Sequence, residues 1–193
     1  MSAPSVLEGP VSQAGAFPFL RSCEQTSVTF ETGQAGRLIE VADGTAYNAA
    51  MGNLLLGPLG LNDTLLDHVA VLRRSYADGH VALPINGRPA VAVMTPLWLP
   101  RSTDPAGGIW TTTRDVLRYG RFHLAAGTIA GPANIVSPNS LRRMQEPAMP
   151  IPGTSLQIGR DWFVQDVAGM RVFSHEGDTL GQHTSPSRRS SSR

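Results

Sequence analysis

The sequence predicts an α/β fold of the α+β kind, with helices packed on an antiparallel sheet in one domain. Three observations carry that expectation. Several segments have an apolar period near that of a helix and begin at capping residues; runs rich in Val, Ile and Phe are joined by short turns; and 193 residues suit one ordinary domain.

Residues 1–32, with Pro4, Pro10 and Pro18 among scattered Ser, Gly and Gln, show no period and read as an irregular N-terminal segment. Order begins near Gly33. Residues 34–42 (QAGRLIEVA) place Ala35, Leu38, Ile39 and Ala42 on one helical face, with Gly44 as the stop. Thr45 is the expected cap of a second helix over 46–55, ended by Gly57-Pro58. A turn follows at Asn62-Asp63-Thr64.

Residues 65–105 read as strands and long loops: HVAVLRR, a turn at Asp78-Gly79, HVALPI, a turn at Asn86-Gly87, then PAVAVM. Gly107-Gly108 allow a tight turn before the clearest helix start, where Thr112 and Asp115 have capping-box spacing. Val116, Leu117, Gly120 and Leu124 are its expected buried face. Ser137-Pro138 opens another helix running through LRRMQ. Two strand-like runs, 161–164 and 171–174, flank a turn at Ala168-Gly169 and lead into His175-Glu176-Gly177-Asp178. Residues 33–184 therefore form the expected domain, and 185–193 (SPSRRSSSR) an expected disordered tail with no face to bury.

Composition excludes several functions. The 16 basic residues are all arginine and face 15 acidic ones, for a net charge of +1. So balanced a chain offers no field for nucleic acid or an anionic membrane. With no lysine, a neutral amine base or a Schiff base cannot be built from this chain. Cys23, the only cysteine, can form no intramolecular disulfide and lacks a positioned histidine nearby. His68, His80, His123, His175 and His183 show neither metal-ligand spacing nor HExxH, so no metal and no cofactor are expected. No signal peptide or membrane-length apolar run is visible, which gives a cytoplasmic expectation for the chain as written. Ser12 sits in no G-x-S-x-G elbow and reads as a loop serine. Trp98, Trp110 and Trp162 lie near Pro or Gly breaks and are expected to fill the core.

Three segments in order carry a resemblance. GRLIEVADGTAYNAAMGNLLLGPLGLNDT (36–64) is similar to a helix pair leading into PLG(L/M)xDT. PAGGIWTTTRDVLRYGRFHL (105–124) is similar to a PAGGlxSTaxDlxrf helix start, and HEGDTLGQ (175–182) looks like a His-x-Gly third motif. Together, over about 33–183, they resemble the serine β-lactamase, penicillin-binding protein and esterase superfamily in its class C-like branch, and only the C-terminal part of that domain. The resemblance implies a β-lactamase/transpeptidase-like fold with its antiparallel sheet incomplete. It implies acyl transfer through a serine of Ser-x-x-Lys, with a Tyr-x-Asn tyrosine and the third motif assisting.

Carried over residue by residue, most of that chemistry is missing. Ser-x-x-Lys cannot exist without lysine, and Tyr47, Tyr76 and Tyr119 have no Asn two positions on. Thr29-Phe30-Glu31 stands where Tyr-x-Asn falls in the family. His175 and Gly177 remain as the candidate catalytic and substrate-binding residues, followed closely by Gly181. The change of character at Ser185 reads as a truncation or frameshift, which would leave the strand 171–174 without its following partner and Val172 and Phe173 poorly covered. Two function classes stay open. One is a degenerate hydrolase of an ester, peptide or β-lactam, inactive as written; the other is a non-catalytic binding or regulatory module that keeps the cleft. Oligomeric state is left undetermined.

Overall fold

The computed structural model describes residues 33–85, 87–95, 98–125, 135–160, 162–185 and 187–190. The readings of 1–32, including Ser12 and Cys23, and that of Asn86 lie outside the described residues.

Helix α1 spans 33–43 and stops at Gly44, whose N–H donates to the Glu40 carbonyl at 2.8 Å. Its expected apolar face is not the buried one: Leu38 is 69% exposed, Ala35 and Ala42 are exposed as well, and Ile39 is only partly covered. Gly36 is buried instead, because a Cβ there would fall 2.2 Å from Pro105 Cγ. Close backbone approach at one glycine outweighs a stripe of small apolar residues.

Helix α2 (Tyr47–Met51) starts without the expected Thr45 cap. Thr45 Oγ1 turns back to Asp43, and Glu40 Oε1 accepts the Tyr47 N–H at 3.0 Å. Gly57-Pro58 does not end the helix either. A π-helical stretch (Gly52–Leu56) leads into α3 (Gly57–Leu59). Pro58 lacks an N–H and would clash with the carbonyl four residues back, and the wider turn relieves that conflict. The stop is Gly60 at φ +64°, with Gly60 N–H on the Gly57 carbonyl at 2.9 Å and Leu61 N–H on the Leu56 carbonyl at 2.8 Å.

The run expected as the strand HVAVLRR is a short helix, α4 (His68–Val71). The Asp67 carboxylate accepts the Val69 N–H at 3.0 Å, so a local N-cap overrides the β-branched pattern. The expected hairpin does form, from β1 (His80–Ile85) and β2 (Arg88–Val93), with His80 opposite Val93. A turn of 3-10 helix (Arg101–Thr103) and α5 (Asp104–Gly107) follow.

Helix α6 (Thr113–Leu124) starts at the Thr112 cap, whose hydroxyl accepts the Asp115 N–H at 3.3 Å. Thr112→Ala is expected to cost about 1 kcal/mol, measured as a fall in the urea midpoint at unchanged slope. Its buried face differs from the expected one. Leu117 and Leu124 are 58% and 52% exposed, whereas Asp115, Phe122 and His123 are buried. Asp115 Oδ2 accepts the Asp63 N–H and the Thr64 hydroxyl, each at 2.9 Å, and this sets the helix's rotation. The His123 ring stands edge-on to Tyr119, Phe122 and Trp162. Helix α7 (Pro138–Gln145) begins as expected, the Ser137 hydroxyl accepting the Ser140 N–H at 3.0 Å.

Five strands form one antiparallel sheet in the order β3-β4-β5-β6-β9: β3 (Met149–Pro150), β4 (Gln157–Ile158), β5 (Phe163–Val167), β6 (Met170–Ser174) and β9 (Ser187–Ser190). The turn at Ala168-Gly169 has φ of 51° and 76°, the left-handed pair that matches strand twist. Ser187–Ser190, expected as part of an unpaired tail, lie along β6 with Phe173 opposite Arg188. β6 is therefore paired on both sides, and Val172 and Phe173 are 8% and 4% exposed rather than uncovered. Backbone hydrogen bonding asks nothing of side-chain character, which is how a Ser/Arg run can serve.

The core has two linked parts. Leu59, Leu61, Phe122 and Leu141 join the helices; Trp162, Val164 and Phe173 cover the sheet; Tyr119 and Met144 touch both. Of the tryptophans, Trp162 fills the core as expected, while Trp98 stacks on His68 and Trp110 meets Tyr76 edge-on.

Candidate functional site

The sheet delivers a central strand, β6, directly into His175-Glu176. From there the chain turns into a small hairpin, β7 (Gly177–Thr179) and β8 (Gln182–Thr184). The two candidate residues thus sit at one strand end. The His175 side chain is exposed, its ring 6.3 Å from that of Phe163, so it is presented rather than packed away. A Cβ at Gly177 would meet only Thr184 Oγ1, at 3.6 Å, so no described neighbour requires glycine there.

What holds the hairpin is a backbone clamp. His80 N–H donates to the Gly181 carbonyl at 3.0 Å, and Gln182 Nε2 donates to the Ala77 carbonyl at 2.9 Å. Gly79 and Gly181 make this contact possible: added Cβ atoms would lie 1.9 Å from the Leu180 oxygen and 2.5 Å from the His80 oxygen. Gly181 also has φ +77°, the left-handed conformation that glycine adopts without cost. Gly107 brings α5 against the other side, where a Cβ would be 2.9 Å from Thr179 Cγ2. The PAGG segment and the His-x-Gly segment, 67 positions apart from Gly108 to His175, are therefore packed on one another.

Polar groups around the hairpin pair locally. His183 Nδ1 is 2.7 Å from Asp178 Oδ1 across β7 and β8, and the Ser185 hydroxyl donates to Glu176 Oε1 at 3.4 Å. The Asp–His pair is about half solvated, which limits its worth to stability. Sequence reasoning did not find it, because Leu180-Gly181 is not a recognisable turn dipeptide and the register depends on it. Nor did it find the Asp115–Thr64–Asp63 network, which joins positions 51 residues apart. No Ser-x-x-Lys pair can be assembled here, since the chain has no lysine. What the site offers is an exposed imidazole at a strand end, beside a hairpin held by the backbone contact of Gly79 and Gly181.

Comparison with known proteins identifies the fold and the family. The β-lactamase family model matches residues 29–190. Penicillin-binding protein 4 of Amycolatopsis lactamdurans is 31% identical over 154 residues, 76% of this chain and 39% of that protein. The octameric penicillin-binding protein homologue of Pyrococcus abyssi superposes with a TM-score of 0.66 at 18% identity, over 80% of this chain and 33% of that one. A class C β-lactamase of Rhodobacter sphaeroides gives 0.59 at 18% identity, over 79% and 48%. The chain thus spans about two-fifths of the length of its curated relative. The two solved structures share its fold, the β-lactamase/transpeptidase-like arrangement of helices on an antiparallel sheet. On the extent of the family match, which runs from ahead of α1 through β9, the chain belongs to the β-lactamase family.

Proposed function

We propose that these 193 residues form the third-motif part of an acyl-serine hydrolase domain: they present His175 and Gly177 to an ester, peptide or β-lactam and do not themselves acylate. The observation that carries this is the pairing of a supported His-x-Gly segment with the absence of any lysine. An exposed imidazole at a strand end can donate a hydrogen bond to a substrate carbonyl or carboxylate, and the glycine leaves backbone open to close approach. No serine in the chain has the amine partner that the family's mechanism uses to take its proton.

Benzylpenicillin is the probe. Titrated into the 193-residue chain, it is expected to move the His175 imidazole signals saturably in the millimolar range, about 4 kcal/mol of binding, and His175→Ala is expected to abolish the change at neighbouring amides. Unmoved His175 signals at saturating probe would contradict the reading.

A further inference from the structure

The outer face of α6 carries a pattern that neither the core nor the His175 hairpin uses. At 3.6 residues per turn, Leu117 and Leu124 fall in one row, and Arg114 and Arg121 fall in a second row alongside it. Within each row the two residues stand about 10 Å apart along the axis. All four side chains are exposed, Leu117 and Leu124 at 58% and 52%. Arg118, also exposed, lies beyond the arginine row and ties the helix to the Gly60 carbonyl at 3.0 Å.

The helix brings no carboxylate to this face. Asp115, the only acidic residue of α6, is buried on the opposite side against the Asp63 N–H and the Thr64 hydroxyl. Asp63, beside the start of the helix, is held by Arg74 at 2.8 Å. Neither Arg114 nor Arg121 has an ion pair or a side-chain hydrogen bond among the described residues. A single exposed leucine is ordinary on a protein surface. Two leucines one heptad apart, flanked by two arginines at the same spacing, match one side of a helix–helix seam. In such a seam the apolar row packs and the flanking charges choose the partner.

We propose that this face of α6 docks an acidic amphipathic helix of a partner protein, with apolar residues on Leu117 and Leu124 and carboxylates on Arg114 and Arg121. Charge complementarity carries the choice of occupant. A helix face with three arginines and no carboxylate attracts an acidic partner and repels a basic one. A bilayer fits it poorly: two leucines insert little apolar area, and a net charge of +1 supplies no attracting field. Docking here rests on α6 alone and does not depend on the reading of the His175 hairpin.

The probe is a synthetic helix of repeated Glu-Leu-Glu-Ala-Leu-Glu-Ala heptads, titrated into the 193-residue chain and followed by methyl NMR. It is expected to shift the Leu117 and Leu124 methyls saturably, with a Kd of roughly 100 μM. The same peptide with Lys at every Glu is expected to bind at least about tenfold more weakly. The double variant Arg114→Glu/Arg121→Glu, on exposed side chains, is expected to reverse that preference by a similar factor. Leu117→Ser/Leu124→Ser, which leaves every charge in place, is expected to weaken both peptides and keep the preference for the acidic one. Unmoved Leu117 and Leu124 methyls at about 1 mM peptide, equal affinity for the two peptides, or an unreversed preference in the arginine double variant would overturn the proposal. So would a stronger response of these methyls to phosphatidylglycerol vesicles than to the acidic peptide, which would assign the face to a lipid surface.

Discussion

Phe173→Ala is expected to destabilise the protein by about 4 kcal/mol, in the range of buried Phe truncations. Phe173 is 4% exposed on β6, packed with Trp162 and Val164, and flanked by β5 and β9. Its removal opens a cavity where the sheet meets Tyr119 and Met144, the residues that tie it to the helices. A domain has only about 5–15 kcal/mol to lose, so the urea midpoint should fall by a large fraction. Leu117→Ala serves as the control. Leu117 is 58% exposed, and truncating it should change stability by no more than about 0.5 kcal/mol. Equal losses for the two would mean that α6 is turned the other way and that the core is not the one described.

Asp115→Ala should cost about 3 kcal/mol by a different route. The Asp115 carboxylate is buried, and its Oδ2 takes two donors, the Asp63 N–H and the Thr64 hydroxyl. Truncation leaves both without that acceptor, each at a cost of about 1–3 kcal/mol. Thr64 retains Thr111 Oγ1 at 2.8 Å, so the Asp63 amide bears the greater loss. Asp115→Asn keeps an acceptor oxygen and should recover part of the stability, whereas Thr64→Val should cost less than Asp115→Ala. If Asp115→Ala is neutral by urea denaturation, the turn at 62–64 is not held by α6.

Much of the helical and hairpin grammar was legible because it is local. The caps at Thr112 and Ser137, the turn at Ala168-Gly169 and the β1–β2 hairpin depend on residues within a few positions of one another. Which helix face is buried was not legible. On α1 a single close approach at Gly36 decided it, and on α6 a buried aspartate and three aromatic contacts did, so Leu38, Leu117 and Leu124 face solvent. α4 defeated a β-branched pattern through one Asp67 cap. β9 was illegible for a deeper reason: strand pairing uses backbone, and SRRS carries no pattern that announces it. Of the candidate site, His175 and Gly177 were named on the resemblance of HEGDTLGQ to the family's third motif, and the structure puts them at one end of β6. The clamp of Gly79 and Gly181 exists only once distant segments meet.

The proposed function gives the chain a family domain's support and third motif without a nucleophile of its own. Intact-mass spectrometry of the 193-residue protein, after incubation with a fluorophosphonate and separately with benzylpenicillin, tests it most directly. The account predicts an unchanged mass with both, because no serine has a lysine to take its proton. A stoichiometric adduct on one serine, lost in His175→Ala, would contradict it and assign the imidazole as the base.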